Sequence, residues 1–382
     1  MSNKRTLSGY IVNTILFAIL FLGFFFYQNG QVAANSMDFR MTLVPIIWQC
    51  CYFIILVTSL NMVLGFLGQL SLGHCGFMAI GAYATALISL ACERADIFES
   101  KESWTFILLI VAIILVSGIL AALAGLLVGI PALRLKGDYL AIITLGFGMI
   151  IINIINNIPW CGGNGLSEGS AMSMLSGNGA YLNSKLKVSY DWIAIILTFV
   201  CVMAIFMFVR SKYGRAIKAI RDDEIAAGAS GLNVSKYKIM TFTYSAFFAG
   251  IAGGIYACTM STLESSSFAF SNNSILNSVF IVVMVVVGGM GSLTGSIISA
   301  IFMFLLNYYI KNVIDTSAFP TFLQTIFEYP MLVYALALVL LMIFRPRGML
   351  GTYEFSVVGT FEKIKALISG KKSTKTDKGG NE

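Results

Sequence analysis

A polytopic all-α membrane bundle of about ten spans is the fold class this sequence predicts, and three observations predict it. The 382 residues are 58% hydrophobic and only 11% charged, where an ordinary soluble domain carries about 25% charge. Apolar runs recur along most of the chain, many of them near the roughly 20 residues that cross a bilayer as helix. The formal charge is +7, yet its lysines and arginines gather in alternate connections and at the two ends. That pattern belongs to a membrane protein with one basic side rather than to a nucleic-acid surface.

The spans fall near residues 10–27, 42–66, 70–90, 104–130, 138–158, 191–209, 239–258, 274–287, 293–311 and 330–344. The first follows Lys4 and Arg5 as a signal peptide would, but its run from Tyr10 to Tyr27 exceeds the usual 7 to 15 residues or so of a cleaved core, so it is read as an uncleaved span. An even number of spans puts both termini on one side. Alternation collects Lys4/Arg5, Arg134/Lys136, the 210–238 loop and the tail after Arg345 there, and that basic side is the cytoplasm. Residues 1–351 form the membrane domain and 352–382 a cytoplasmic tail. In the tail, Phe361, Ile364, Leu367 and Ile368 suit a short helix on the membrane surface, ahead of a polar, partly disordered end.

Several chemistries find no support. No predicted span carries a charged residue near its middle; Asp138 and Asp191 sit at ends. A proton relay needs such groups, although sodium held by backbone carbonyls stays open. Cys50, Cys51, Cys75, Cys92, Cys161, Cys201 and Cys258 include no C-x-x-C pair, and five lie in apolar runs, which fits packing rather than metal or disulfide chemistry. No metal site, cofactor or catalytic residue is expected. "VVVGGMGSLTGS" imitates a dinucleotide-binding turn without the later acidic residue, and "SGKKST" imitates the end of a P-loop with Lys365 where its first glycine should stand. The chain therefore binds no ATP by itself.

The segment Leu64 to Ser89 is apolar but holds glycines at 65, 68, 73, 76 and 81 together with Gln69, Ser71 and His74, the only histidine. On one continuous helix, Gly65, Gln69, Gly73 and Gly76 would make a small-residue stripe for close packing. Each glycine also costs a helix about 1 kcal/mol relative to alanine, which invites a break near "GQLSLGH". A break frees backbone groups that a polar cavity must satisfy, and a discontinuous helix lining a pathway, with Gln69, Ser71 and His74 facing it, is the favoured reading. For His74 a satisfied structural role is the equal alternative. Asp138, Tyr139, Thr144, Gly146 and Gly148 enter the membrane with polar groups at one depth; helix packing through small residues is the alternative there.

The 210–238 loop reads "RSKYGRAIKAIRDDEIAAGASGLNVSKYK". Arg215, Lys218 and Arg221, three apart, suit a helix whose basic side meets anionic lipid. The acidic residues 222–224, followed by Ala226, Ala227 and Gly231, are not explained by lipid; small residues there let a helix end seat in another protein's groove.

With "GQLSLGHCGFMAIGAYATAL", "KGDYLAIITLGFG", "GGNGL", "YGRAIKAIRDDEIAAGASGLNVSKYK", "VVVGGMGSLTGS" and "FRPRGMLG", over roughly residues 45–351, the chain resembles the permease subunits of branched-chain amino-acid ABC importers, specifically the longer of the two paired permeases. The resemblance implies a subunit without ATPase activity of its own, in the bacterial cytoplasmic membrane, that forms a pathway for leucine, isoleucine and valine. It implies four kinds of company: a second permease, two cytoplasmic ABC ATPase subunits, an extracellular or periplasmic binding protein, and the lipid bilayer. The pathway residues would be Gln69, Ser71, Gly73, His74, Tyr139 and Thr144. ATPase docking, through a pattern of the type E-A-A-x-x-x-G, would fall on Arg221, Glu224, Ala226, Ala227 and Gly231. Ile225 stands at that pattern's glutamate position, with Glu224 one residue earlier, and Cys161 stands where similar permeases often have threonine. A related ABC permease for urea, short amides or a sugar, or a sodium-coupled secondary transporter, are the rival expectations.

Overall fold

The computed structural model describes residues 37–94, 103–133, 138–158, 192–259, 263, 265–268, 278–312 and 343, and every regular element among them is helical. In chain order these are α1 (Met37–Asn61), which runs on into a π-helical turn (Met62–Phe66), α2 (His74–Arg94), α3 (Ser103–Ala132), α4 (Asp138–Asn157), α5 (Trp192–Arg210), α6 (Lys212–Asp222), α7 (Glu224–Ala229), α8 (Val234–Thr259), a 3-10 turn (Ser265–Phe268), α9 (Ser278–Gly288) and α10 (Leu293–Asn312). Met41–Tyr353 forms one compact unit and contains every site described below. Of the second unit, Met1–Arg40 with Glu354–Glu382, the described part is the first turn of α1.

The predicted spans from 42–66 through 293–311 all coincide with apolar helices, 5 of them long enough to cross a membrane. The shorter ones, His74–Ser89, Ser278–Gly288 and Leu293–Leu306, each start or stop at a glycine-rich break, residues 67–73 or 289–292. The spans expected at 10–27 and 330–344, and the tail, lie outside the described residues apart from Ile343. α8 starts at Val234 rather than at the predicted 239, because Asn233 Oδ1 accepts the Lys236 N–H at 3.1 Å and starts the helix earlier.

Small residues decide the packing. α8 lies against α2 and α3 over much of its length, and the approach is backbone to backbone. A Cβ on Gly81 would overlap the carbonyl of Gly250; one on Gly253 would overlap the Met78 carbonyl and come within 2.8 Å of the Ala82 nitrogen. A Cβ on Gly250 would meet Gly118 Cα at 3.0 Å. Lipid tails are as apolar as leucine side chains, so close van der Waals contact through glycine and alanine has to hold such helices together. α1 and α8 are the most enclosed of the long helices and α4 the least.

Candidate functional site

The helix break comes where the glycines of Leu64 to Ser89 weaken it. After the π-helical turn the chain leaves the helix, with Leu67 N–H donating to Met62 O at 3.1 Å and Gln69 N–H to Val63 O at 3.0 Å. Gly68 then turns with φ +75°, a left-handed conformation open to glycine at little cost. Helix restarts at His74. The amides freed by the interruption are taken up by hydroxyls from other helices: Leu72 N–H donates to Thr144 Oγ1 at 3.1 Å, and Cys75 N–H to Ser278 Oγ at 3.3 Å. Two buried polar atoms in the break find no such partner, Gln69 Oε1 and Ser71 Oγ. A small cleft lined by Leu72, Cys75, Gly148 and Ser278 lies between the restarted helix and α4.

A second glycine-rich turn, at residues 289–292, is stapled to the first. Asn61, fully buried, accepts from Gly291 N–H through Oδ1 at 3.0 Å and donates through Nδ2 to Ser292 O at 3.0 Å and Ser296 Oγ at 2.7 Å. Gly289 and Gly291 have φ of +113° and +89°, which removes any strain a side chain would bring there. α9 and α10 fold back on each other across this turn, Gly288 against Gly295 and Ser299 Oγ donating to Met284 O at 2.6 Å.

α4 covers one side of the break and leaves its other face open. Gly73 and Gly76 sit against the backbone of Thr144 and Gly148, so α4 cannot be moved closer. On the opposite side Tyr139, Ile142, Ile150, Asn153, Ile154 and Asn157 are all exposed at helical spacing, and nothing lies within 4 Å of where a Gly146 Cβ would be. A face that mixes tyrosine and asparagine with isoleucine inside an apolar span is costly against lipid alone.

The 212–231 segment builds a compact two-helix projection. Ser211 Oγ accepts from Tyr213 N–H at 3.1 Å and starts α6, which buries Ala216, Ile217 and Ile220. Asp223 Oδ1 accepts from Ile225 N–H at 2.8 Å and Ala226 N–H at 3.0 Å, starting α7. Gly231, at φ +84°, ends it, as a left-handed glycine after a helix does. Glu224 is held by Lys238 of α8 at 2.8 Å. Ala227 is buried, while Ala226, Gly228 and Gly231 face outward and Ile225 is 82% exposed. Ile225 is the large apolar side chain of a tip otherwise made of small residues and flanking carboxylates.

The family model described as "Branched-chain amino acid transport system / permease component" matches residues 42–344. The chain belongs to that family. The "High-affinity branched-chain amino acid transport system permease protein LivM" of Salmonella typhimurium is 34% identical over 341 residues, covering 84% of this chain and 71% of the relative. Its namesake in Escherichia coli is 35% identical over 318 residues, 78% of this chain and 67% of the relative. The "Ribose import permease protein RbsC" of Haemophilus influenzae is 24% identical over 270 residues, 70% of this chain and 73% of the relative. No solved structure matches.

In this permease component the residues named from sequence divide by position. Gln69, Ser71, Gly73, His74 and Thr144 come together around the break. Within that group, Gly73 makes backbone contact with α4 rather than bordering open space, and His74 Nε2 lies 2.8 Å from Ser59 Oγ in a buried pair. Tyr139, 71% exposed, is on the open face of α4 instead. Arg221 is exposed at the end of α6, yet its Nη1 reaches Gly65 O at 2.5 Å; of the other docking residues Glu224 pairs with Lys238, Ala227 is buried, and Ala226 and Gly231 are exposed. Sequence reasoning missed Asn61, Lys238 and Asn153. Each is a polar residue in or beside an apolar run, and that signal was there to be used.

Proposed function

We propose that this chain is the pathway-forming permease subunit of an ATP-driven importer of branched-chain amino acids, in the bacterial cytoplasmic membrane, paired with a second permease, two ABC ATPases and an extracellular or periplasmic binding protein. The observation that carries this reading is the interrupted helix with unpartnered Gln69 Oε1 and Ser71 Oγ, covered on one side by α4, whose opposite face is open and partly polar. A branched-chain amino acid is zwitterionic at one end and apolar at the other. Weak polar groups without a fixed charge let it pass without holding it, as a transporter requires. The open face of α4 is then the wall turned toward the second permease and the pathway between them.

The projection at residues 212–231 supplies the other half of the reading. Ile225 and the outward small residues form a knob suited to an apolar groove on a cytoplasmic ATPase. The energy for import comes from ATP at that partner, which shifts the permease pair between inward-open and outward-open states. Family members named for ribose favour a second reading, a sugar permease. Uptake by the reconstituted complex separates the two: labelled leucine, isoleucine and valine should enter in an ATP-dependent manner, and labelled ribose and xylose should not. ATP-dependent entry of the sugars alone would sink the amino-acid assignment.

Two predictions arise here. A cysteine placed at residue 230 should react with an impermeant thiol reagent only after lysis, and one at residue 168 should react in intact cells; labelling of 230 from outside would invert the orientation. Gln69→Leu and Gly146→Leu should each assemble normally, since neither fills a contact, yet slow uptake about tenfold, the effect of roughly 1.4 kcal/mol on the translocation barrier. Uptake at the wild-type rate in both variants would remove the break and the open face of α4 from the pathway.

A further inference from the structure

We infer that Arg221 is not an ATPase contact but the positioning residue that transmits the movement of the α6–α7 projection to the broken helix, by holding the carbonyl of Gly65. The inference rests on the reading of the chain as an ATP-driven importer and deepens it.

The site is built for an arginine. The guanidinium donates through Nη1 to Gly65 O at 2.5 Å, a carbonyl in the π-helical turn just before the chain leaves the helix. The side-chain stem passes Gly68, where a Cβ would come within 2.9 Å of Arg221 Cγ. On its other side a Cβ at Gly291 would come within 3.2 Å of Nη1 and 3.4 Å of Gly65 O. Glycines from two segments remote in sequence therefore clear the slot, and Gly68 and Gly291 both have positive φ. One turn earlier on the same side of α6, Lys218 Nζ stands 5.0 Å over the Phe66 ring, so the helix grips the π-helical turn at two adjacent residues.

The chemistry suits a transmission contact. An isolated carbonyl at a helix interruption needs a donor, and a charged donor makes the stronger bond. Arg221 is three residues from Glu224, whose ion pair with Lys238 ties α7 to α8, and six from Ala227, the buried anchor of α7. Any displacement of the projection by a docked partner pulls directly on Gly65. Through Asn61 and Gly291 the same pull reaches the 289–292 turn. Gln69 and Ser71 follow Gly65 within the non-helical stretch, so the polar groups assigned to the pathway move with the projection.

The test uses the whole reconstituted complex with its ATPases, second permease and binding protein, and reads uptake per ATP hydrolysed. Arg221→Ala should copurify with the ATPases and hydrolyse ATP, but its uptake per ATP should fall at least tenfold; Arg221→Lys, which keeps a charged donor, should recover part of it. Gly68→Ala, which leaves the arginine in place but crowds its stem, should show the same uncoupling, and it carries the test if Arg221→Ala yields no folded permease. As a contrast, Ile225→Asp should lose the ATPases from the purified complex. Wild-type uptake per ATP in Arg221→Ala or Gly68→Ala would overturn the inference. So would loss of the ATPases from Arg221→Ala, since that would make it a docking residue. If the wild-type complex itself shows no ATP-dependent uptake, the importer reading fails instead.

Discussion

Gly73→Leu should abolish both assembly and uptake. A Cβ at residue 73 would stand 2.9 Å from the carbonyl carbon of Thr144, closer still to its oxygen, and 3.5 Å from its Cα. These are backbone atoms of α4, which cannot rotate aside as a side chain would. From the other helix, a Cβ on Gly148 would meet Gly73 Cα at 3.1 Å, so the two strands of backbone already touch. Overpacking costs about 1–3 kcal/mol even where neighbours can adjust. Pushing α4 away would also strip Leu72 N–H of Thr144 Oγ1, and an orphaned buried amide costs a further 1–3 kcal/mol or so. No free space borders residue 73 for a side chain to occupy. Size-exclusion chromatography of the complex and labelled-solute uptake read the result, with Gly146→Leu as the control that should assemble. A monodisperse Gly73→Leu complex importing at the normal rate would show that α2 and α4 are not held this close.

The second large effect is expected of Asn61→Leu, a replacement of similar volume. It removes three hydrogen bonds, to Gly291 N–H, Ser292 O and Ser296 Oγ. Interhelical hydrogen bonds in membranes average about 0.6 kcal/mol, which sums to roughly 2 kcal/mol. The Gly291 amide, which the turn offers to Asn61 Oδ1, adds about 1–3 kcal/mol when orphaned. The loss of stability should thus reach roughly 3–5 kcal/mol, a large share of the whole for most proteins. It should appear as a lowered thermal midpoint in detergent and a fall in uptake. Asn61→Asp keeps the acceptor for Gly291 but no donor, and should not restore the protein. An unchanged midpoint for Asn61→Leu would mean that the two glycine turns are held together by something other than this side chain.

The sequence made local interruptions easy to read and distant partnerships hard. Gly65, Gly68 and Gly73 mark the break because helix propensity is a property of neighbours, and Asp223 and Gly231 mark the ends of α7 for the same reason. Arg221 shows the opposite case. Its three-residue spacing from Lys218 suggests a lipid-facing basic side, but its acceptor is Gly65, far away in the chain, and no periodicity points there. Lys238 falls in the predicted 210–238 loop, yet it is buried in α8, at 6% side-chain exposure, with Glu224 beside it. The partner of His74 is equally remote, Ser59 on α1. Tyr139 and Thr144 share a helix yet part company, since the backbone at Gly73 and Gly76, with α3 and the 3-10 turn, covers only one side of α4.

α8 joins two of these features along one rod. Its first turn carries Lys238 and thus the grip on α7, and its middle is pressed against α2 and α3 through Gly250 and Gly253. At 26 residues and about 1.5 Å per residue the rod is some 39 Å long, and it contains no proline. Glycines that would loosen an isolated helix are here clamped between neighbouring backbones, so they add no joint. The residues that grip α7 and the glycines that grip α2 and α3 thus belong to one stiff element, and neither contact can shift along the α8 axis without carrying the other.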